Sequence, residues 1–182
     1  MKREFNPAEL DVRAFTEVAG TLQGESALKE WPRLDAENQL PDADSRVQWA
    51  AHGEIHQAAG GAPEPQLHLR ADVVLHLTCQ RCLNPVGIAL TADNHFRFVA
   101  DEETAALLDE ESDGVDVLAL EPRLNLLTLV EDELLLALPL VPLHEVCPTP
   151  LAVKAVGQEE EPAAAPNPFA VLEQLKRPRG GS

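Results

Sequence analysis

Two neighbouring segments near the middle of the chain alternate apolar and polar residues with a period of two. They cover residues 66–79 and 85–99. Such alternation is typical of antiparallel β-strands that bury one face and expose the other. The apolar positions are Leu67, Leu69, Ala71, Val73, Leu75 and Leu77, then Val86, Ile88, Leu90, Ala92, Phe96 and Phe98. A short connection with an Asn84-Pro85 turn signal joins the segments, so the pattern predicts a β-hairpin.

Weaker patterns complete the sheet. Residues 46–57 alternate in the same way and are expected to form a strand, as are residues 14–22 and 115–120. Between them, Ser26 is expected to cap a short helix, which Pro32 limits to about two turns.

The strongest helical pattern follows Asn125, a predicted N-cap for a helix over residues 126–138 that Pro139 ends. Its apolar residues are Leu126, Leu127, Leu129, Val130, Leu134, Leu136, Ala137 and Leu138. They cover enough of the helix surface to predict that it is largely buried. The acidic segment 101–114 is expected to be a solvated loop with one helical turn at 104–108.

These elements predict an α+β fold. We expect an antiparallel sheet, either open or barrel-like, covered by one or two helices and followed by a flexible C-terminal tail. Residues 1–147 would form the core domain. Residues 148–166, rich in Pro, Ala and Glu without periodicity, would form a linker, and residues 167–182 a short amphipathic helix with a basic end.

Composition narrows the functional classes. The chain of 182 residues carries 31 acidic and 14 basic side chains, a net charge of −17. Such a field repels phosphate backbones and attracts basic partners, which argues against a nonspecific nucleic-acid-binding surface. The longest apolar run, residues 134–143, is half the length that a membrane span needs. With three cysteines and no signal-peptide pattern, we expect a cytoplasmic protein without a membrane contact.

Cys79-Gln80-Arg81-Cys82 lies at the bend between the two predicted hairpin strands. A redox motif of this spacing would precede a helix. At a hairpin tip, two thiols can instead point at one metal ion. The placement favours a metal knuckle or a purely structural hairpin.

Three segments in series resemble the bacterial YceD family, the large ribosomal RNA subunit accumulation proteins. They are residues 77–83 (LTCQRCL), 129–139 (LVEDELLLALP) and 167–176 (NPFAVLEQLK). The resemblance implies a cytoplasmic protein that is needed for large-subunit (23S) rRNA to be made, processed or retained during ribosome assembly. It implies no enzymatic activity.

The resemblance also suggests a second pair of ligands just after the Leu-rich helix, where some relatives look as though they carry two more cysteines. Here the pair reads His144 and Cys147. With Cys79 and Cys82 it would give a three-Cys, one-His shell that suits one structural Zn²⁺. The alternative is a set of reduced, partly buried thiols without metal.

Glu131, Asp132 and Glu133 are successive acids within the apolar helix. They could form a carboxylate patch that docks onto a basic protein. The alternative, which we expect, is a solvated stripe with Thr128, Glu131, Asp132 and Leu135 near the exposed side.

The predicted tail helix is a second candidate for partner binding. Its anchors would be Phe169, Leu172 and Leu175, with Lys176 and Arg177 near its C-terminus. It could dock into the groove of a partner or fold back on its own domain, and the sequence favours neither.

Together these features predict a non-enzymatic factor that binds a basic ribosomal protein or a large-subunit processing factor, with indirect or weak RNA contact. One rival is a thiol- or zinc-dependent hydrolase that uses Cys79 and Cys82. The other is a direct RNA-binding protein, for which the candidate phosphate contacts are Arg81, Lys176, Arg177 and Arg179.

Overall fold

A five-stranded sheet is the centre of the computed structural model, which describes residues 4–41, 44–57, 63–109 and 114–148. The strands follow one another across the sheet in chain order. The first four are antiparallel to their neighbours, and the fifth is parallel to the fourth. They are β1 (Thr21–Ala27), β2 (Arg46–Gln57), β3 (Pro63–Thr78), β4 (Pro85–Val99) and β5 (Asp116–Ala119).

The predicted hairpin is confirmed as β3 and β4, which pair from Gln66 opposite Arg97 to Thr78 opposite Pro85. All six predicted apolar positions of β3 are buried, and so are those of β4 except the partly buried Ile88. The predicted strand 46–57 is β2. The period of two therefore identified the buried face of the sheet correctly.

Helices cover that buried face. The described part of the chain contains α1 (Val12–Glu17), α2 (Pro32–Glu37), α3 (Glu102–Asp109) and α4 (Leu126–Leu136), with 3₁₀ turns at Pro7–Glu9 and Leu28–Glu30. Apolar side chains of α1, α2 and α4 join those of β2, β3 and β4 in one core. The fold is α+β, as predicted. Asn125 caps α4 by accepting a hydrogen bond from Thr128 N.

Two predictions for the N-terminal part are wrong. Residues 14–22 do not form one strand, because the Asp11 side chain accepts a hydrogen bond from Ala14 N and starts α1, whose Phe15 is fully buried. Ser26 caps no helix. It lies in β1, and its hydroxyl accepts a hydrogen bond from Trp31 Nε1 at 2.8 Å.

Of the two predictions for residues 101–120, the strand is confirmed and the loop is wrong in part. The predicted strand 115–120 is β5, whereas the segment expected to be mainly loop contains the two-turn helix α3 between β4 and β5. Within the described residues the sheet is open rather than barrel-like, since β1 and β5 lie at opposite edges.

None of the described helices has the length and apolar character to cross a membrane. The predicted linker and tail helix lie outside the described residues, apart from Pro148.

The segment after α2 extends the sheet toward the hairpin tip. β2 pairs with β3 only as far as Asp72. Beyond that point, His76 N donates to Asn38 Oδ1 at 3.0 Å and Gln39 N donates to His76 O at 2.7 Å. These bonds satisfy backbone groups of β3 that lie beyond its pairing with β2, close to the turn that carries the cysteines.

Candidate metal centre

The turn between β3 and β4 holds two thiols close together. Cys79 N donates to Asn84 O at 3.0 Å, and Leu83 N donates to Cys79 O at 2.9 Å. Leu83 has a φ of 60°, in the left-handed region that a side chain with a Cβ enters at a cost. The turn is thus tightly wound around Cys79, which is buried, and Cys82, which is partly buried.

The chain after α4 returns to this turn and is fastened to it. Gln80 N donates to Pro142 O at 2.9 Å. The Arg81 guanidinium donates from Nη2 to His144 O at 2.7 Å and from Nε to Cys147 Sγ at 3.0 Å. The exposed Arg81 side chain therefore links the hairpin tip to residues 144–147.

These contacts bring all four predicted ligands together. Cys79, Cys82, His144 and Cys147 each offer one ligand atom, and the four atoms lie within 4.8 Å of one another. The Cys82 sulfur is 3.4 Å from His144 Nδ1. A tetrahedral zinc ion needs its ligand atoms about 3.6 Å apart, so only small side-chain movements separate this cluster from a zinc shell. Four converging protein donors leave no open position, as in structural rather than catalytic zinc sites.

The electrostatics of the cluster also suit a cation. Burial alone would raise the pKa of the Cys79 thiol, but three backbone N–H groups donate to its sulfur and lower that pKa to about 5. The donors belong to Arg81, Cys82 and His144. Burial raises the pKa of the Cys147 thiol. Cys79 is thus a thiolate at neutral pH, and a bound metal would deprotonate the other thiols. Three thiolates on Zn²⁺ leave one net negative charge, which the adjacent Arg81 guanidinium offsets.

Glu131 is not part of a solvated stripe, which corrects the interpretation that we favoured. Its side chain is only 9% exposed and accepts hydrogen bonds from the backbone N–H groups of Arg33 and Leu34 at 2.8 and 3.3 Å. Its second oxygen lies 2.9 Å from Arg33 Nε. α2 has no side-chain cap of its own. Glu131 therefore caps α2 from α4, where its negative charge also suits the helix N-terminus.

The other two acids differ in exposure. Asp132 is half-exposed and contacts the Arg33 guanidinium, whereas Glu133 is buried and accepts a hydrogen bond from Asn94 Nδ2. All three acids thus contact other residues of the chain, and two of them, Glu131 and Glu133, are buried. The partner-binding role of the three acids stays a prediction, with Asp132 the most accessible.

Burial gives Glu133 a pH-dependent effect on stability. Burial raises the pKa of the Glu133 carboxyl. The hydrogen bond from Asn94 opposes this shift, and the nearby charges of Asp116 and Asp132 add to it. A raised folded-state pKa favours folding below the unfolded-state pKa of Glu, and this stability is lost as pH rises through the folded-state pKa.

We therefore expect Glu133→Gln to be more stable than the original protein at pH 7 and to lose that advantage near pH 4. The free energies of unfolding in urea at both pH values measure the difference. A Glu133→Gln protein that is less stable at pH 7 would show that the charge of this carboxylate stabilises the fold.

Sequence reasoning missed two functions of arginine. Arg33 binds Glu131 across 98 positions of the chain, and no local pattern marks such a pair. Arg81 was considered as a phosphate contact, although a cation placed between two thiols is itself a signal for charge compensation at a thiolate cluster. Phe169, Leu172, Leu175, Lys176 and Arg177 lie outside the described residues.

The fold and the site define an α+β domain with a cysteine–histidine cluster at the tip of its longest hairpin. Comparison with known proteins assigns it to a family. The family model described as large ribosomal RNA subunit accumulation protein YceD matches residues 67–176, which is more than half of the chain, and the chain belongs to this family.

One curated relative is the large ribosomal RNA subunit accumulation protein YceD of Haemophilus influenzae. It is 37% identical over 111 residues, which cover 59% of this chain and 63% of the relative. The alignment thus spans less than two thirds of the length of that relative. No solved structure matches the chain.

Proposed function

We propose that this protein supports the accumulation of large-subunit (23S) rRNA as a non-enzymatic factor in ribosome assembly. The match to the YceD family is the observation that carries the proposal. The matched residues 67–176 include the hairpin, all four cluster residues, α4 and the predicted tail helix. The name of the Haemophilus influenzae relative also refers to large ribosomal RNA subunit accumulation.

The cluster favours a structural role over catalysis. The ligand atoms of Cys79, Cys82, His144 and Cys147 fit one Zn²⁺ with no position left for water or substrate. In this proposal the ion holds residues 140–148 against the hairpin tip and fixes the end of α4. A hydrolase that uses Cys79 and Cys82 would need an open coordination position or an exposed thiolate, and Cys79 is fully buried.

A basic protein is the partner that the charges favour. The net charge of −17 repels RNA, and Glu102 and Glu103 in the first turn of α3 are exposed. Direct RNA binding would need cations that are free to contact phosphates, whereas the exposed Arg81, one of its four candidate contacts, already binds His144 and Cys147. A basic ribosomal protein or processing factor would be attracted at long range, and the interaction would weaken as salt increases.

An affinity purification from bacterial cytoplasm tests the proposal, with bound proteins identified by mass spectrometry and bound RNA by sequencing. We expect the full chain to recover large-subunit precursor particles or one basic large-subunit protein. A chain that lacks residues 165–182 is the paired sample, because it removes the predicted tail helix and leaves all described residues in place. Recovery of no ribosomal component by the full chain would contradict the proposal.

A further inference from the structure

The polar face of the sheet carries a row of histidines that are not part of the cysteine cluster. In the strand register, His52 of β2 lies opposite His68 of β3, and His68 lies opposite His95 of β4. Directly opposed side chains on one face of a sheet have Cβ atoms about 5 Å apart. The three imidazoles are thus held side by side by the backbone of three paired strands.

Two of these histidines and one acid form a compact group. The rings of His68 and His95 stack in parallel, with centroids 4.2 Å apart and planes 2° from each other. Asp93 lies two residues before His95, on the same face, and its Oδ1 is 2.6 Å from His68 Nε2. One ligand atom from each of His68, Asp93 and His95 lies within 4.8 Å of the other two.

We propose that His68, Asp93 and His95 bind a divalent transition-metal ion of the zinc class, such as Zn²⁺, Co²⁺ or Ni²⁺. Two imidazoles and one carboxylate are a ligand set that suits these ions. The ion would replace the hydrogen bond between His68 and Asp93. Because a ring nitrogen binds a metal in the plane of its ring, the stacked rings of His68 and His95 must turn toward each other for both to reach the ion. Asp93 and His95 are exposed and His68 is partly buried, which gives an ion direct access from solvent.

The neighbouring cation Arg70 competes only weakly with a metal ion for the Asp93 carboxylate. Arg70 Nη1 lies 4.0 Å from Asp93 Oδ2, at the limit of an ion pair, and Arg70 Nε lies 3.6 Å from Asp72 Oδ2. Asp93 Oδ1, the oxygen assigned to the metal, faces His68. His52 is not part of the three-residue site, and its Nδ1 is 3.3 Å from Thr21 Oγ1. The site differs in chemistry from the cysteine cluster, because it contains no sulfur.

A Co²⁺ titration of the whole chain tests this proposal, after one equivalent of Zn²⁺ has been added to fill the cysteine cluster. Paramagnetic Co²⁺ broadens the NMR signals of nearby histidine rings, and calorimetry gives the affinity. We expect the ring signals of His68 and His95 to broaden first. Cobalt bound at this site should give no thiolate-to-metal charge-transfer absorption, whereas cobalt at the cysteine cluster would.

Matched variants distinguish Co²⁺ binding at this site from nonspecific Co²⁺ binding to other surface histidines. His95→Ala and Asp93→Asn should each weaken Co²⁺ binding by about tenfold or more, since even indirect partners of a metal ligand give losses of that size. His56→Ala removes another exposed histidine of β2 and should leave binding unchanged. Unchanged affinity in His95→Ala, or equal broadening of His56 and His68, would overturn the proposal. Circular dichroism would verify that the surface variants keep the fold.

Discussion

Glu131→Gln is expected to lower the free energy of unfolding by about 2 kcal/mol, which is the typical contribution of a hydrogen bond to a charged group. The buried carboxylate accepts from the first backbone N–H groups of α2, which have no other cap. The neutral amide removes the negative charge at the helix N-terminus. It also turns an N–H₂ group toward donors of Arg33, so at least one hydrogen bond is lost. Urea unfolding followed by tryptophan fluorescence measures the effect, because Trp31 directly precedes α2.

Asp132→Asn is the matched control. Asp132 is the next residue and contacts the same arginine, but its side chain is 44% exposed. Exposed ion pairs contribute little, so the loss should be several-fold smaller than for Glu131→Gln. Equal losses in the two variants would mean that general charge, rather than the trans cap on α2, explains the effect.

Cys82→Ser is expected to abolish zinc binding at the cysteine cluster, which in the original protein should hold one Zn²⁺ after purification. A serine hydroxyl does not replace a thiolate ligand, and a structural zinc site with three remaining ligands loses most of its affinity. The sheet and its core lie outside the cluster, so the domain should stay folded. The hairpin tip should loosen, with faster hydrogen exchange at the Gln80 amide that binds Pro142 O.

Leu83→Ala controls for changes at the turn that do not involve the metal. Leu83 adjoins Cys82, and its side chain is 74% exposed. Its zinc content and the protection of the Gln80 amide should match those of the original protein. The zinc assignment fails if the original protein contains no metal, has three titratable thiols and melts at the same temperature as Cys82→Ser.

The sequence could predict those elements whose local pattern is long. The alternation of β3 and β4 extends over more than a dozen residues each, and its buried positions agree with the structure. For α4, Asn125 marks the start and Leu126, Val130 and Leu134 are buried as predicted. The helix ends at Leu136 rather than at residue 138, and Leu136 is 79% exposed, contrary to the prediction. The four cluster residues were predicted together from the hairpin and the family resemblance, and the structure brings them within reach of one ion.

The failures share a physical cause: short elements and long-range contacts leave little local signal. α1 has six residues, too few to show helical periodicity, and its start depends on one bond to Asp11. The burial of Glu131 depends on Arg33 and Leu34, almost 100 positions away. Burying a carboxylate is favourable only when hydrogen-bond donors surround it. The apolar and polar pattern of α4 does not reveal such donors, so it predicts that the glutamate is exposed. Tertiary contacts decided both cases.

The ratio of mature 23S to 16S rRNA tests the central claim most directly. It would be measured in a bacterial strain that lacks its own family member and carries this chain, Cys82→Ser or no replacement. We predict a low ratio without replacement, restoration by the original chain and weaker restoration by Cys82→Ser. A ratio that stays low with the stably expressed original chain would contradict a role in large-subunit rRNA accumulation.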